Sequence, residues 1–243
     1  MTELLSISAL TKAFGGVHAV EDCSFTVAEG SITGLIGPNG SGKTTVFNLA
    51  TGYLKADSGR VLFAGRDVTG YPPARLYRAG LSRTFQQARV FPQLTVRENL
   101  VVAGGARWWQ LFGPRIGRPD RERADRLLAE FRLDPLADVP AAELSYGQRK
   151  LLEFAAVLMG SPRLVLLDEP TAGVNPVLVE TMERHIRERN AAGITFLVVE
   201  HDMAVVMRLC DPVVVLDGGR PIFTGPPASA QRDATVLDAY LGA

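Results

Sequence analysis

The sequence predicts an α/β fold: a mostly parallel sheet flanked by helices, with an antiparallel β segment at the N-terminus and a helical segment inserted in the middle. Three observations carry this. In the C-terminal half, continuous Val/Leu runs ("RLVLLDE", "ITFLVVE", "PVVVLD") alternate with helix-patterned stretches ("NPVLVETMERHIRERN", "DMAVVMRLC"). Unbroken apolar runs between helices are what strands covered on both faces require. The N-terminal part instead shows short β-like runs with glycine turns. Between them, from "PPARLYRAG" to about residue 160, the pattern is mostly helical.

Taken in order, "LLSISAL", "CSFTV" and "SITGLIG" read as strands, and a helix is expected from the lysine of "GKTTVFNLATGYL". "DSGRVLFAGRDV" has hairpin character, "RPDRERADRLLAEFRL" places apolar residues at helical spacing, and "GPPAS" is a turn into a final helix. At 243 residues the chain suits one domain: a core of about 1–88 and 159–243 with a helical insertion of about 89–158. Lys+Arg and Asp+Glu both number 26, so charge gives no case for nucleic acid or an anionic membrane face. Cys23 and Cys210 are too few for a disulfide scaffold and read as buried small apolar residues. The N-terminus lacks a basic n-region before a long apolar run, and no stretch reaches the roughly 18–20 apolar residues of a span. A soluble chain is expected, reaching a membrane only through another protein.

The chemistry concentrates in four places. "GLIGPNGSGKTTVFNLA" contains Gly37-x-x-x-x-Gly42-Lys43-Thr44 between a strand and a helix. Gly37, Gly40 and Gly42 let backbone amides converge on an anion, and Asn39 and Ser41 belong to the same cradle. The helix N-terminus adds partial positive charge, Lys43 reaches β- and γ-phosphates, and the Thr44 hydroxyl can ligate Mg²⁺. In "RLVLLDEP" an apolar strand ends in two acids at the sheet edge where open α/β folds bind ligands. Asp168 is expected to hold Mg²⁺ through water, and Glu169 to orient and deprotonate the attacking water. His201 follows another buried-looking strand in "FLVVEHDM" and is read as a γ-phosphate contact; His18 and His185 receive no role. In "SRTFQQARVFPQLTV", Gln86 ends a strand-like run where it can accept from the attacking water and approach Mg²⁺. Gln87 is its rival.

A fifth stretch, "LSYGQ" at 144–148, has no reactive group, yet its serine precedes a helix as an N-cap does. Together with the loop at 37–44, "RLVLLDE" and "EHD" in this order, it makes the chain resemble the nucleotide-binding subunit of an ABC transporter over its whole length. That resemblance implies a P-loop NTPase core with an inserted helical subdomain, and two such subunits packed head to tail. It implies that Ser145, Gly147 and Gln148 of one chain close over ATP held by the other's glycine loop. Phe14 matches the aromatic that stacks on adenine and Thr45 the hydroxyl near the α-phosphate. Asn175 stands where many relatives carry aspartate, which weakens any charged contact across the dimer.

"DEPTAGVNP", "EHDMAVVM", "RTFQQARVFPQLTVRENL" and "VLDAYLGA" are similar to importers of branched-chain and other hydrophobic amino acids. The resemblance implies an ATP hydrolase on the inner face of the cell membrane, beneath transmembrane permease subunits. It also implies a second ATPase subunit, identical or different, and a periplasmic solute-binding protein upstream. Urea or amide import, lipopolysaccharide export and a non-transport ABC ATPase are the alternative readings; a P-loop kinase leaves "LSYGQ" unemployed. The insertion is expected to offer a groove to a permease helix, with Phe91 and Leu94 either lining it or packing in the core. "WWQLF" at 108–112 is read as subdomain core, with an exposed docking patch as the alternative.

Overall fold

The computed structural model describes residues 2–86, 89–105 and 118–241. β1 (Glu3–Phe14) and β2 (Val17–Ala28) pair antiparallel around a turn made by Gly15 and Gly16, both at positive φ. The chain then enters β3 (Ile32–Ile36), passes a loop, and continues as α1 (Lys43–Ala50). β4 (Ser58–Phe63) and β5 (Arg66–Asp67) return to the hairpin and complete a four-stranded antiparallel sheet of order β2-β1-β4-β5.

After α2 (Pro73–Ala79) and β6 (Leu81–Arg83) come α3 (Val96–Ala103), α4 (Arg118–Glu130) and α5 (Tyr146–Leu158). The remaining elements are β7 (Leu164–Asp168), α6 (Pro176–Ala191), β8 (Thr195–Val199), α7 (Met203–Leu209), β9 (Val213–Asp217), β10 (Arg220–Gly225), α8 (Pro227–Ala230) and α9 (Ala234–Leu241). The second sheet runs β10-β9-β3-β8-β7-β6, parallel except for β10. β3, β7 and β8 are buried at every residue, the signature of strands covered on both faces.

Alternation along these strands feeds two hydrophobic clusters. Leu35, Leu164, Leu166, Leu197, Val199 and Val214 face α1 and the N-terminal sheet, around Phe47 and Phe63. Ile36, Val165, Leu167, Phe196, Val198 and Val215 face the helices, around Leu100, Leu128, Phe131, Phe154 and Ile186. The helices between β6 and β7 therefore share one continuous apolar cluster with the sheet.

β6 is three residues long; it answers to the strand-like run expected before Gln86 but ends earlier, at Arg83, and it pairs with β7 where Leu81 and Ser82 are buried. One further strand, β10, is not among those expected. β10 carries Pro221, tolerated because the strand lies at the sheet edge. Cys23 and Cys210 are buried, and burial pushes both thiols up to about 12. Phe91 is 56% exposed and so lies outside the core, whereas Leu94 is half-buried. "WWQLF" and Gln87 lie outside the described residues. Among those described, no helix is long and apolar enough to cross a membrane.

Candidate active site

The parallel strands deliver their carboxyl ends to one edge, and the loop after β3 lies there. At Gly37 φ is +146°, and a Cβ would stand 2.1 Å from the Leu216 carbonyl oxygen of β9 and 2.8 Å from Ser41 Oγ. Only glycine lets the loop turn against the neighbouring strand. Gly42, also left-handed, precedes α1 with no side chain to cap the first-turn amides of Lys43, Thr44 and Thr45. Asn39, Gly40 and Thr44 are exposed, Thr45 is half-buried and Ser41 is buried. Lys43 Nζ donates to the carbonyl oxygens of Gly37 and Pro38, each at 2.8 Å. Partial burial holds this amine below the usual lysine range, opposed by Glu169 and Asp168.

Asp168 ends β7 and is 4% exposed. Its Oδ2 accepts from Arg83 Nη2 at 2.9 Å, and its amide donates to Thr84 Oγ1. Burial raises the Asp168 carboxyl above the ordinary range, while Arg83 opposes the shift. Arg83 also donates to Asn48 Oδ1 and Thr51 Oγ1 of the α1 region and lies over the Phe85 ring, 4.6 Å from its centroid. One guanidinium thus ties the helix after the glycine loop to the acid at the end of β7.

Glu169 adopts positive φ, +46°, and donates its amide to the Val199 carbonyl. Gln86 Nε2 donates to Glu169 Oε2 at 3.0 Å, and His201 Nδ1 stands 3.8 Å from Glu169 Oε1, beyond hydrogen-bond range. The three residues expected to be catalytic therefore meet around one carboxylate, from the ends of β6, β7 and β8.

Behind them lie buried charges with no motif of their own. Glu200 is 1% exposed. Its Oε1 accepts from the Thr171 amide and hydroxyl, tying the segment after Glu169 to the residue before His201, and burial raises its carboxyl. Lys150 and Glu153 of α5 are 2% and 5% exposed. Glu153 Oε1 accepts the amides of Phe85 (3.0 Å) and Arg89 (3.3 Å). Lys150 Nζ donates to the Gln86 carbonyl at 2.7 Å and lies 3.5 Å from that of Glu169. Desolvation raises the Glu153 carboxyl to about 7 and lowers the Lys150 amine.

The stretch 144–148 sits elsewhere. Ser145 caps α5 in a reciprocal box: its Oγ accepts from the Gln148 amide, and its own amide donates to Gln148 Oε1. At Gly147 a Cβ would stand 2.4 Å from Leu178 Cδ2, so glycine also lets α5 approach α6. Asn175 Oδ1 is engaged as the cap of α6, accepting from the Leu178 amide. Ser145, Gly147, Gln148 and Asn175 line one groove of about 840 Å³, and no residue of 37–45 lines it. Phe14, at the end of β1, is 48% exposed beside Lys12.

These groups suit a magnesium–nucleotide. Among the described residues no cluster of three His, Cys, Asp or Glu is placed to hold a metal by itself. Thr44 carries a hydroxyl, Asp168 a carboxylate and Gln86 an amide oxygen, donor types that suit Mg²⁺, an ion that usually keeps several waters and substrate phosphates beside one or two protein oxygens. Motifs singled out the glycine loop, the two acids and His201, and the structure brings them to one sheet edge. No motif marks Arg83, or the buried Lys150, Glu153 and Glu200, behind them.

Residues 20–172 match the ABC transporter family model. A probable branched-chain amino acid transport ATP-binding protein LivG of Archaeoglobus fulgidus is 39% identical, over 99% of this chain and 96% of that protein. The high-affinity branched-chain amino acid transport ATP-binding protein BraF of Pseudomonas aeruginosa is 38% identical, covering 98% of each. Among solved structures, a nucleotide-free ATP-binding cassette from an ABC transporter superposes with TM-score 0.89 at 37% identity, covering 100% of both chains. The ADP conformation of an ATP-binding cassette gives 0.88 at the same identity and coverage.

Proposed function

The chain belongs to the ABC transporter family of ATP-binding cassettes, and from that membership we propose that it binds and hydrolyses ATP to power import of branched-chain or other hydrophobic amino acids. The observation that carries the hydrolytic reading is the meeting of Gln86, Glu169 and His201 around one carboxylate, beside Asp168. The solute class follows from the transport named in the full-length relatives.

In this reading the amides of 39–45 and the Lys43 ammonium hold the triphosphate, and Phe14 stacks on the base. Thr44, Asp168 and Gln86 would hold Mg²⁺, which when bound would neutralise phosphate charge. Glu169 takes the proton of the attacking water, Gln86 orients that water, and His201 contacts the γ-phosphate. The attack forms the oxygen–phosphorus bond as the bond to ADP breaks. Ser145, Gly147 and Gln148 face the γ-phosphate of a second ATPase subunit, identical or different. Binding drives closure because only the closed pair gains those phosphate contacts. The chain works on the inner membrane face against permease subunits, docking a permease helix near the exposed Phe91 and served indirectly by a periplasmic binding protein.

Replacing Glu169 with Gln tests the chemistry: phosphate release should fall about 100-fold or more, with ATP retained and a dimer accumulating. Wild-type turnover in that variant would remove Glu169 from its role. For the solute, detergent extraction should co-purify permease subunits, and vesicles reconstituted with them and the associated binding protein should take up leucine in an ATP-dependent way.

A further inference from the structure

We propose that Lys150 and Glu153 are positioning residues that seat the Gln86 loop against Glu169. This inference rests on the reading of Gln86 and Glu169 as parts of an ATP-hydrolysing centre. A Lys and a Glu three apart on a helix ordinarily form a solvated pair; here both are nearly inaccessible, so their desolvation must be offset by specific bonds. Those bonds go to the backbone on either side of Gln86. Glu153 Oε1 takes the amides of Phe85 and Arg89, and Lys150 Nζ takes the Gln86 carbonyl.

Beyond these bonds, the described part of the loop is held by side-chain packing: the Tyr53 ring meets Phe85 edge-on at 5.3 Å, and Val90 packs against the core. Among the described residues, Phe85 to Val90 make no backbone–backbone hydrogen bond. The guanidinium carbons of Arg83 and Arg89 lie 4.6 and 3.7 Å from the Phe85 ring centroid. These ring contacts fix a side chain; the α5 side chains fix the main chain from which Gln86 reaches Glu169. Lys150 Nζ also lies 3.5 Å from the Glu169 carbonyl, so one helix addresses both partners of the Gln86–Glu169 bond.

The test compares full-length chains carrying Glu153→Gln, Glu153→Asp, Glu153→Leu or Lys150→Met, by phosphate release against ATP concentration and by amide hydrogen exchange. Gln keeps an acceptor oxygen at the same reach, so kcat should stay within about twofold; Asp, one methylene short, Leu and Lys150→Met should each lose about tenfold or more. KM for ATP should hold within about twofold throughout, because residues 37–45 are not touched. Exchange should quicken in the peptide covering 84–90 in the Asp and Leu variants and stay unchanged over 37–50.

An Asp variant as active as wild type, with 84–90 protected, overturns the proposal. So does a Gln variant as impaired as Leu, or a kcat loss matched by weaker ATP binding and faster exchange at 37–50, which marks general loosening. If the Leu chain fails to fold, the contrast of Gln with Asp decides. Glu169→Gln is run beside them. If it matches wild type, Glu169 loses its catalytic role, and the exchange comparison alone then decides the seating of the loop.

Discussion

Glu153 shows how much one buried side chain can set. Burial raises its carboxyl from 4.5 to about 7, against the pull of the Phe85 and Arg89 amides and of Lys150. Its folded value lies above its unfolded one, so between them the folded chain keeps a proton that the unfolded chain has released. The folded state then binds more protons, and stability falls as pH rises from about 4.5 through about 7. Glu153→Gln removes this dependence. Its melting temperature relative to wild type should climb between about pH 5 and pH 8, by the equivalent of a few kcal/mol. Parallel melting curves for the two proteins across that range would exclude the effect. None of this was legible beforehand, because "GQRKLLEF" shows only a Lys and a Glu at helical spacing. What decides their burial is a loop some sixty residues away in sequence, and no local pattern encodes that. The proposed roles of Lys43, Asp168 and Glu169 could be read beforehand because phosphate chemistry asks for those residue types at fixed offsets from a strand end.

At the level of elements, α5 does two things at once. Its N-cap, Ser145, accepts from the Gln148 amide, and in the proposed dimer the same end meets a partner's phosphate. Ser145→Asp separates these roles, since Asp caps as well as Ser but sets a negative charge where an anion must bind. The variant should melt within about 1 kcal/mol of wild type while ATP hydrolysis falls tenfold or more by about the penalty for apposed like charges. A Ser145→Asp chain with normal turnover would remove the anion role. Element by element, strands buried on both faces announced themselves as apolar runs, and α1 began where the lysine marked it. β6 matches the strand-like run read before Gln86, though it ends at Arg83; β10 was missed because it holds a proline and two half-buried apolar residues that no central strand would carry.

On the scale of the whole molecule, the sheet gathers the glycine loop, Asp168, Glu169, His201 and Gln86 along one edge, while the Ser145–Asn175 groove is lined by none of residues 37–45. Sequence order gave no hint of that separation; it became an expectation only through the family resemblance, and it follows physically from α5 packing against α6 at Gly147. The separation has a genetic consequence. Two chains that are each impaired about tenfold or more, one carrying Ser145→Asp and the other Glu169→Gln, should rescue one another when mixed. In a mixed pair one pocket inherits both lesions and its twin inherits neither. Random pairing of self-associating protomers should thus restore up to about a quarter of full turnover. Mixtures that stay silent at every ratio would mean that each polypeptide works with its own serine after all.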